Sequence, residues 1–200
     1  MRVIAGKYRS RRLQTLRGLA LRPSSDRLRE TLFNIIGPSV QDSVFIDLFA
    51  GSGAVGIEAL SRGAFEAIFV ENHHAGAALL QRNLETLGIP LAQAQVGHRK
   101  AFAGTAEIVC ADALSALEKL EERGIRADFI FADPPYTDVK AYQAVLEFLD
   151  ESELLTRNGQ VILEHSRRQT LPAVCERLER TRVLEQGDSA LSFYGIVLAA

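Results

Sequence analysis

The sequence predicts an α/β protein built on a doubly wound, mostly parallel sheet. From Ser43 onward, short apolar runs alternate with segments of helical spacing, and several of the runs end at an acidic residue. The chain has 200 residues, of which 47% are hydrophobic, and a net charge of −2, which fits one globular domain with a substantial core. We expect residues 1–37 to form a small extension and residues 38–200 the main domain.

The alternation defines the expected elements of the main domain. We predict strands near residues 43–49, 67–71, 106–112, 127–132, 160–165, 180–186 and 190–198. Helices are predicted near residues 54–62, 73–87, 113–123, 140–149 and 170–178. Only Gly187-Asp188-Ser189 separates the last two strands, so these should form an antiparallel hairpin rather than a crossover. Residues 89–105 show no clear period and are predicted to be a long loop.

The extension should contain a basic β-hairpin and a helix. Its strands are expected at residues 3–5 and 13–16, joined through Gly6 and a basic run. Ser25 or Asp26 should cap the helix that follows, and Gly37-Pro38 should end it. The apolar spacing predicts a buried face and a polar face, with Leu28, Leu32, Ile35 and Ile36 toward the core and Arg27, Arg29 and Glu30 nearer solvent.

Charge is distributed unevenly along the chain. Residues 1–30 contain nine Lys and Arg side chains against two acids, whereas the remainder contains 14 basic and 23 acidic side chains. A basic end on an acidic body is typical of a protein whose one end meets a polyanion, although a solvated or loosely ordered terminus would look the same. The candidate nucleic-acid-binding residues are Arg2, Lys7, Arg9, Arg11, Arg12, Arg22, Arg27 and Arg29.

Other classes find little support in the sequence. No apolar segment follows the basic N-terminus, so neither a secretory signal nor a membrane span is expected, and a cytoplasmic location is the simplest inference. Cys110 and Cys175 give neither a disulfide framework nor a metal cluster. The four histidines fit no zinc site or triad, so no metal is expected. We expect His165 to be structural and Cys110 to be a small core residue.

A glycine-rich turn follows the first strand of the main domain. Gly51, Gly53 and Gly56 lie where that strand enters a helix, a geometry that lets a ligand approach the backbone beneath the helix N-terminus. With Glu71 twenty residues after Gly51, these glycines also match the dinucleotide-binding fingerprint. A nicotinamide-dependent oxidoreductase therefore stays open at this point.

Three acids at successive strand ends favour a different ligand. Asp47 would repel the pyrophosphate of a dinucleotide but suits an ammonium or sulfonium group, and S-adenosylmethionine carries both. Glu71 could accept hydrogen bonds from ribose hydroxyls and Asp112 from an adenine amino group. Each acid alone could equally be a helix cap. The three together indicate one crevice at the carboxyl edge of the sheet.

Asp133-Pro134-Pro135-Tyr136 follows the apolar strand 127–132 at the same edge. Two prolines give a stiff turn, and we expect its carbonyl oxygens to point outward without partners, where they could accept hydrogen bonds from an amino group. Tyr136 could stack on a flat ring. A plain strand-ending turn is the alternative.

Together these motifs resemble amino-group methyltransferases of the class I, Rossmann-like, S-adenosylmethionine-dependent fold. Arg2-Val3-Ile4-Ala5-Gly6, Leu21-Arg22-Pro23 and the run from Asp26 to Asn34 resemble, more narrowly, the RsmD family of bacterial 16S rRNA guanine-N2 methyltransferases. Ser24 stands where we expect threonine, and residues 89–105 look longer than usual for the family.

The resemblance implies methyl transfer to a guanine N2, at position 966 of 16S rRNA, within a small ribosomal subunit or its assembly intermediate. It also implies S-adenosyl-L-methionine as cofactor and a monomeric enzyme. The implied cofactor-binding residues are Asp47, Phe49, Gly51, Gly53, Glu71, Asn72, Asp112 and Ala113, and the implied catalytic residues are Asp133, Pro134, Pro135 and Tyr136. DNA adenine-N6 methylation stays open, because the turn itself does not select the base. Non-catalytic RNA binding is a further alternative.

Overall fold

The computed structural model describes residues 1–15, 26–92 and 103–197. Its helices are α1 (Asp26–Ile36), α2 (Ala54–Ser61), α3 (His74–Leu87), α4 (Ala113–Glu122) and α5 (Val139–Glu151), and a 3₁₀ turn spans Gly37–Val40. The strands are β1 (Val44–Leu48), β2 (Glu66–Val70), β3 (Thr105–Val109), β4 (Ala127–Ala132), β5 (Leu155–Ser166), β6 (Leu178–Gln186) and β7 (Ser189–Ile196).

The seven strands form one sheet in the order β3-β2-β1-β4-β5-β7-β6. Strands β1 to β5 pair in parallel, while β7 lies antiparallel between β5 and β6. The predicted fold class, with its C-terminal antiparallel hairpin, is therefore confirmed. The strand order reverses between β1 and β4, and ligands of open α/β sheets bind at such a reversal.

Helices cover both faces of the sheet. One apolar cluster joins the N-terminal segment, α1, α2 and α3 to the sheet through residues such as Val3, Leu32 and Leu80. The other joins α4 and α5 to the opposite face through residues such as Leu117 and Leu146. Because Val3, Tyr8 and Leu13 are buried in the first cluster, the N-terminal segment is part of the main core. A boundary at residue 37 stays a prediction.

The N-terminal hairpin is less regular than predicted. The segment folds back on itself, but in residues 1–15 its ladder is reduced to one bridge between Arg2 and Arg12. The backbone N–H groups of Ile4 and Ala5 donate instead to the Glu58 carboxylate of α2. Helix α2 thus takes the hydrogen bonds that a second strand would have accepted. Leu16 and the capping candidate Ser25 lie outside the described residues.

The helix predicted at residues 170–178 is wrong. This segment is irregular and carries one short bridge between Val174 and Glu179. The Asp150 carboxylate accepts hydrogen bonds from the backbone N–H groups of Glu176, Arg177 and Leu178. Those donors are therefore satisfied without a helix, which local apolar spacing could not foresee. Strand β5 also begins five residues earlier than predicted.

Two further sequence predictions concern ends and loops. Residues 93–102, most of the predicted 89–105 loop, lie outside the described part of the chain, as does the end of the predicted strand at residue 198. Before that gap, Ile89 is buried and Leu91 forms a bridge with Ala106.

Among the described residues, no helix has the length and apolar character needed to cross a membrane.

Candidate active site

The glycine-rich turn connects β1 to α2 at the carboxyl edge of the sheet. Gly53 is the residue before α2 and has φ +77°. A Cβ atom there would lie 2.3 Å from Leu80 Cδ1, so any other residue would also force the Leu80 side chain of α3 to shift. Phe49 has φ +65°, which is unusual for an aromatic residue and marks local backbone strain where the chain leaves β1. The shape of the turn is therefore set by the left-handed backbone conformations of Phe49 and Gly53.

Asp47 lies near the end of β1 beneath this turn. Its side chain is 1% exposed, and its Oδ2 accepts a hydrogen bond of 2.8 Å from Gly56 N in α2. Burial raises the pKa of Asp47 to about 7, and the charge of Glu71 adds to the rise. A buried carboxyl group whose pKa is near 7 is well suited to a cationic ligand, since a nearby positive charge would favour its ionised form.

Glu71 follows β2 and is buried. Its Oε2 accepts from Gly51 N at 2.8 Å, and its Oε1 accepts from His73 N at 2.9 Å. The carboxylate therefore fixes the glycine-rich turn to the start of α3. A carboxylate can accept about four hydrogen bonds, so ribose binding is compatible with these contacts and stays a prediction. Asn72, beside it, is exposed.

Asp112 caps α4 after β3. Its Oδ1 accepts from Ser115 N at 3.0 Å, and this hydrogen bond lowers the pKa of the exposed carboxyl. The capping role weighed for single acids is thus real here, while adenine binding stays a prediction. Ala113 is half-buried at the first position of α4. The acids follow or end β1, β2 and β3, which are neighbours in the sheet, so they share one edge.

The Asp133–Tyr136 turn lies beside the glycine-rich turn. Leu48 of β1 pairs with Ala132 of β4, so the two chains leave the sheet at adjacent positions. The expectation that the turn's carbonyl oxygens have no partners is wrong. Pro134 O accepts from the Tyr142 hydroxyl at 3.1 Å, and Pro135 O accepts from Asp138 N at 2.7 Å.

The reason for this difference is the fold of α5. The helix begins directly after the turn and brings Tyr142, which is 1% exposed, back beneath it. The Pro134 carbonyl keeps a second lone pair, so it can still accept from a substrate amino group. The contact with Tyr142 holds that carbonyl in a fixed direction.

Tyr136 is held by its hydroxyl group. The hydroxyl lies 2.9 Å from Ser189 Oγ at the start of β7 and donates to Glu164 Oε1 of β5 at 3.4 Å. Burial raises the pKa of Tyr136 to about 12, so the phenol is neutral at physiological pH. The aromatic ring is therefore fixed beside Asp133.

Sequence reasoning missed three residues of this site: Tyr142, Glu164 and Ser189. Glu164 carries the same signal as the three predicted acids, since it ends an apolar run in a parallel strand. Tyr142 and Ser189 carry no such signal, because their contacts depend on how α5 and β7 fold back. The site is thus larger than the four residues of the turn.

The histidine and cysteine predictions have different outcomes. His165 is 3% exposed and satisfied, with Nδ1 2.9 Å from Ser166 O and Nε2 2.8 Å from Ser192 Oγ, so its structural role is confirmed. The core position predicted for Cys110 is wrong: the residue is exposed just beyond β3, 3.4 Å from His74 Nδ1. Within the described ranges, no group of three or more His, Cys, Asp or Glu side chains could hold a metal.

Most of the predicted nucleic-acid-binding residues are exposed. The exposed members within residues 1–15 and 26–92 are Arg2, Lys7, Arg9, Arg11, Arg12 and Arg27. A groove of about 590 Å³ runs between the N-terminal segment and α1, lined in part by Arg2, Arg9, Arg27 and Arg62. Arg22 lies outside the described residues.

Arg29 is the exception, and its predicted position near solvent is wrong. Its side chain is buried because Arg29 shares a helical face with Phe33 and Ile36, which also point into the core. Its guanidinium group donates to Arg2 O at 2.6 Å and to Asp26 Oδ1 at 3.0 Å. Arg29 therefore holds the N-terminal segment against α1 and is removed from the candidate RNA-binding residues.

The basic segment also reaches the glycine-rich turn. The Asn83 side chain of α3 accepts from Gln14 N at 2.9 Å and donates to Ser52 O at 2.9 Å. Met1 Sδ lies 3.7 Å from Ser52 Oγ. The two ends of the described N-terminal segment and the glycine-rich turn are therefore neighbours, although more than 30 residues separate them in sequence.

Known proteins are similar to this chain over almost its whole length. The chain matches the family described as Conserved hypothetical protein 95 over residues 1–195. It is 37% identical over 194 residues to YlbH of Bacillus subtilis (strain 168), named as a candidate rRNA methyltransferase, covering 97% of this chain and 98% of YlbH. It is 32% identical over 194 residues to ribosomal RNA small subunit methyltransferase D of Escherichia coli (strain K12), covering 97% and 89%.

Solved structures agree with this result. The structure of an Escherichia coli protein titled as a candidate methyltransferase, yhhF, superposes with a TM-score of 0.78 at 32% identity, covering 98% of this chain and 97% of that one. An RNA methyltransferase from Salinibacter ruber, in complex with S-adenosyl-L-homocysteine, shares the fold with a TM-score of 0.58 at 15% identity, covering 87% and 93%.

The fold and the crevice define a class I S-adenosylmethionine-dependent methyltransferase. Within that class, the chain belongs to the Conserved hypothetical protein 95 family, and the predicted resemblance to RsmD is confirmed. The cofactor prediction is confirmed with it, and the nicotinamide alternative loses its support.

Proposed function

We propose that this protein transfers a methyl group from S-adenosyl-L-methionine to the exocyclic N2 of a guanine in small-subunit ribosomal RNA. One observation carries the proposal: the β1–β4 pairing sets the glycine-rich turn and the Asp133–Tyr136 turn side by side at the strand-order reversal. A methyl donor over the first turn and an amino group at the second would be neighbours. The rRNA substrate is supported by relatives named as rRNA methyltransferases.

The crevice has features that fit the cofactor. S-adenosyl-L-methionine supplies, when bound, an electrophilic methyl group on a cationic sulfur. Asp47 would supply a buried carboxylate to the cationic part of the cofactor, and the hydrogen bond from Gly56 N in α2 favours its ionised form. Glu71 and Asp112 would hold the ribose and the adenine amino group. Phe49, Gly51, Gly53, Asn72 and Ala113 would line the remaining crevice.

The Asp133–Tyr136 turn would prepare the nucleophile. The N2 lone pair of guanine is delocalised into the ring, so the amino group is a weak nucleophile. Asp133 and the Pro134 carbonyl would accept hydrogen bonds from its two N–H groups and direct the lone pair toward the methyl group. Tyr136, held by Ser189, would stack on the base. Alignment and electrostatics then supply the catalysis, and the proton can leave after transfer.

The RNA would contact the basic N-terminal surface. A guanine in structured RNA must be splayed out to enter the site, so the flanking nucleotides need separate support. Arg2, Lys7, Arg9, Arg11, Arg12 and Arg27 are the exposed candidates for phosphate contacts. We propose a small ribosomal subunit or its assembly intermediate as the partner, a monomeric enzyme, and the cytoplasm as its location.

Paired asparagine variants test the catalytic turn. Asp133→Asn should lower kcat for RNA methylation about 100-fold or more, because the amide loses the charge-assisted hydrogen bond to the substrate amino group. Cofactor affinity, measured by calorimetry, should change less than about threefold, within the range of a minor binding effect. Asp138→Asn, at the exposed cap of α5, is the matched control and should retain activity. Loss of cofactor binding in Asp133→Asn would instead make the turn structural.

Mapping of the modified nucleotide tests the substrate. Ribosomal RNA from cells lacking the protein should contain one unmethylated guanine N2 that the purified enzyme restores in vitro. Methylation of adenine N6 in DNA, with no change in rRNA, would contradict the proposal. Binding of NAD without binding of S-adenosyl-L-methionine would contradict the whole class.

A further inference from the structure

Glu164 is a carboxylate at the catalytic edge that the proposed chemistry does not use. It lies near the end of β5 and is 4% exposed. The Tyr136 hydroxyl donates to its Oε1 at 3.4 Å. Burial of a carboxylate is costly, so its place beside a catalytic turn suggests a function beyond packing.

The sheet register sets Glu164 next to Asp133. Ala132, the last residue of β4, pairs with Leu163 of β5, so Asp133 leaves the sheet beside Glu164. Adjacent strands of a sheet are about 4.8 Å apart. Both carboxylates also raise the pKa of Tyr136 by their charge, which shows that they approach the same phenol. Two acids, rather than one, therefore flank the space where the base would stack.

We propose that Glu164 determines base specificity by accepting a hydrogen bond from the N1–H group of guanine. The inference rests on the proposed guanine-N2 activity. Guanine presents N1–H and N2–H donors side by side, so Asp133 would accept from N2–H while Glu164 accepts from N1–H. Adenine presents an N1 lone pair beside its N6 amino group, and a carboxylate would repel that lone pair. Glu164 would thus select guanine N2 over adenine N6.

The contact with Tyr136 does not conflict with this role. A carboxylate has about four acceptor positions, and the phenol occupies one of them at a long distance. A purely structural role, in which Glu164 only holds Tyr136, makes a different prediction. If Glu164 only held Tyr136, its substitution would lower the methylation rate equally for all bases that stack on Tyr136. If Glu164 contacts N1, its substitution would change the relative rates of bases that differ at N1.

Substitution of the target guanine by 2-aminopurine separates the two roles. This base keeps the N2 amino group but has an unprotonated N1 and no O6, and the absence of O6 is the same for the wild type and each variant. The RNA is made by ligation with either base at the methylated position, and is assembled into the subunit where the enzyme requires it. For the wild-type protein, we expect kcat/KM to favour guanine over 2-aminopurine by about 100-fold or more, because a site built around a donor rejects an analogue that lacks it.

In Glu164→Gln, the ratio should fall to about tenfold or less, because the amide can donate to the unprotonated N1. Intrinsic reactivity of the two bases divides out when the variant is compared with the wild type. Ser189→Ala is the matched control, since it removes the other hydroxyl contact of Tyr136. It should lower both rates by the same factor and leave the ratio unchanged.

The outcomes distinguish this inference from the proposed function. Methylation of guanine N2 with an unchanged ratio in Glu164→Gln overturns the role of Glu164 alone. Absence of guanine-N2 methylation by the wild-type protein overturns both. If Glu164→Gln does not fold, Glu164→Asp serves instead, because its shorter carboxylate should lose activity on guanine without gaining activity on 2-aminopurine. Equal loss on both bases would overturn the inference.

Discussion

Gly6 shows how one residue can fix the position of a whole segment. It has φ +77°, and a Cβ atom there would lie 1.7 Å from Ser61 O of α2. The next two residues also contact Ser61: Lys7 N donates to Ser61 O, and Tyr8 N donates to Ser61 Oγ. The N-terminal segment therefore approaches α2 as closely as backbone permits.

Gly6→Ala should destabilise the protein by about 2 kcal/mol or more, because the methyl group forces the segment away from α2 and strains the backbone. Gly88→Ala is the control: its φ of +68° is similar, but nothing lies within 4 Å of the added atom. That variant should show only the backbone strain, about 1 kcal/mol. Urea denaturation of both variants measures the difference. Equal losses would show that the contact with Ser61 is unimportant.

Asp47 makes stability depend on pH. Its pKa is about 7 in the folded protein against an ordinary value of 3.8, so the unfolded chain releases this proton first as pH rises. The contribution of Asp47 to stability is therefore largest below pH 3.8 and is lost between pH 3.8 and about 7.

Asp47→Asn should remove this dependence. Relative to the wild type, the variant should gain on the order of 1–2 kcal/mol in unfolding free energy between pH 5.5 and pH 8. Denaturation at the two pH values checks this, with Asp138→Asn as an exposed control. Calorimetry should also show that S-adenosyl-L-methionine binds more tightly to the wild type at pH 8, where Asp47 is ionised, than at pH 6. Identical pH profiles for wild type and Asp47→Asn would exclude Asp47 as the titrating group.

Helix α2 connects the cofactor-side turn to the N-terminal segment. Its N-terminus follows the glycine-rich turn, and its Glu58 is fully buried. The Glu58 carboxylate accepts from Ile4 N at 2.7 Å, Ala5 N at 3.0 Å and Arg62 Nε at 2.8 Å. One helix therefore contacts the glycine-rich turn at its N-terminus and the N-terminal segment along its second half.

Glu58→Ala should destabilise the protein by about 3–5 kcal/mol, because two backbone donors lose their acceptor and the buried charge of Arg29 loses a neighbour at 3.9 Å. Glu85→Ala, on the exposed face of α3, removes only a contact with Gln81 and should cost less than about 0.5 kcal/mol. Thermal and urea denaturation measure both. A small effect of Glu58→Ala would mean that the N-terminal segment is held mainly by its apolar residues.

At the scale of the whole molecule, the basic N-terminal segment packs along the length of α2. Gln14 meets Asn83 beside the glycine-rich turn, whereas Lys7 N donates to Ser61 O at the other end of the helix. Acids dominate the remainder of the chain. Such a distribution favours contact of a polyanion with the surface of this segment. Because the segment is docked in the core, its role is better tested by charge removal than by deletion.

Arg9→Ala combined with Arg12→Ala should weaken RNA binding and reduce the slope of log affinity against log salt by about 2, or about 1 for each lost phosphate contact. Lys119→Ala combined with Arg126→Ala removes the same charge from α4 and from the residue before β4, and should leave the slope unchanged. Filter binding from 50 to 300 mM salt compares them. Equal slopes for all three proteins would remove the N-terminal segment from the RNA interface.

The fold and the positions of the three acids at one edge of the sheet were predictable because their signals are local. Asp47, Glu71 and Asp112 each end or follow an apolar run, and parallel strands bring such ends to one edge. The predicted helix at residues 170–178 failed because Asp150, distant in sequence, satisfies its backbone donors. Arg29 was misplaced because apolar spacing predicts a buried stripe but not the width of the face that a neighbouring segment covers.

The sequence by itself determined the doubly wound sheet, the turns at its carboxyl edge and the acids on them, since each depends on residues close together in the chain. Only the tertiary structure decided which groups meet there. Tyr136 contacts Glu164 and Ser189 across 28 and 53 residues. Tyr142, which lies on α5, donates back to the Pro134 carbonyl. Such contacts depend on how β5, β7 and α5 pack together, and packing between distant elements leaves no periodic signal in a single sequence.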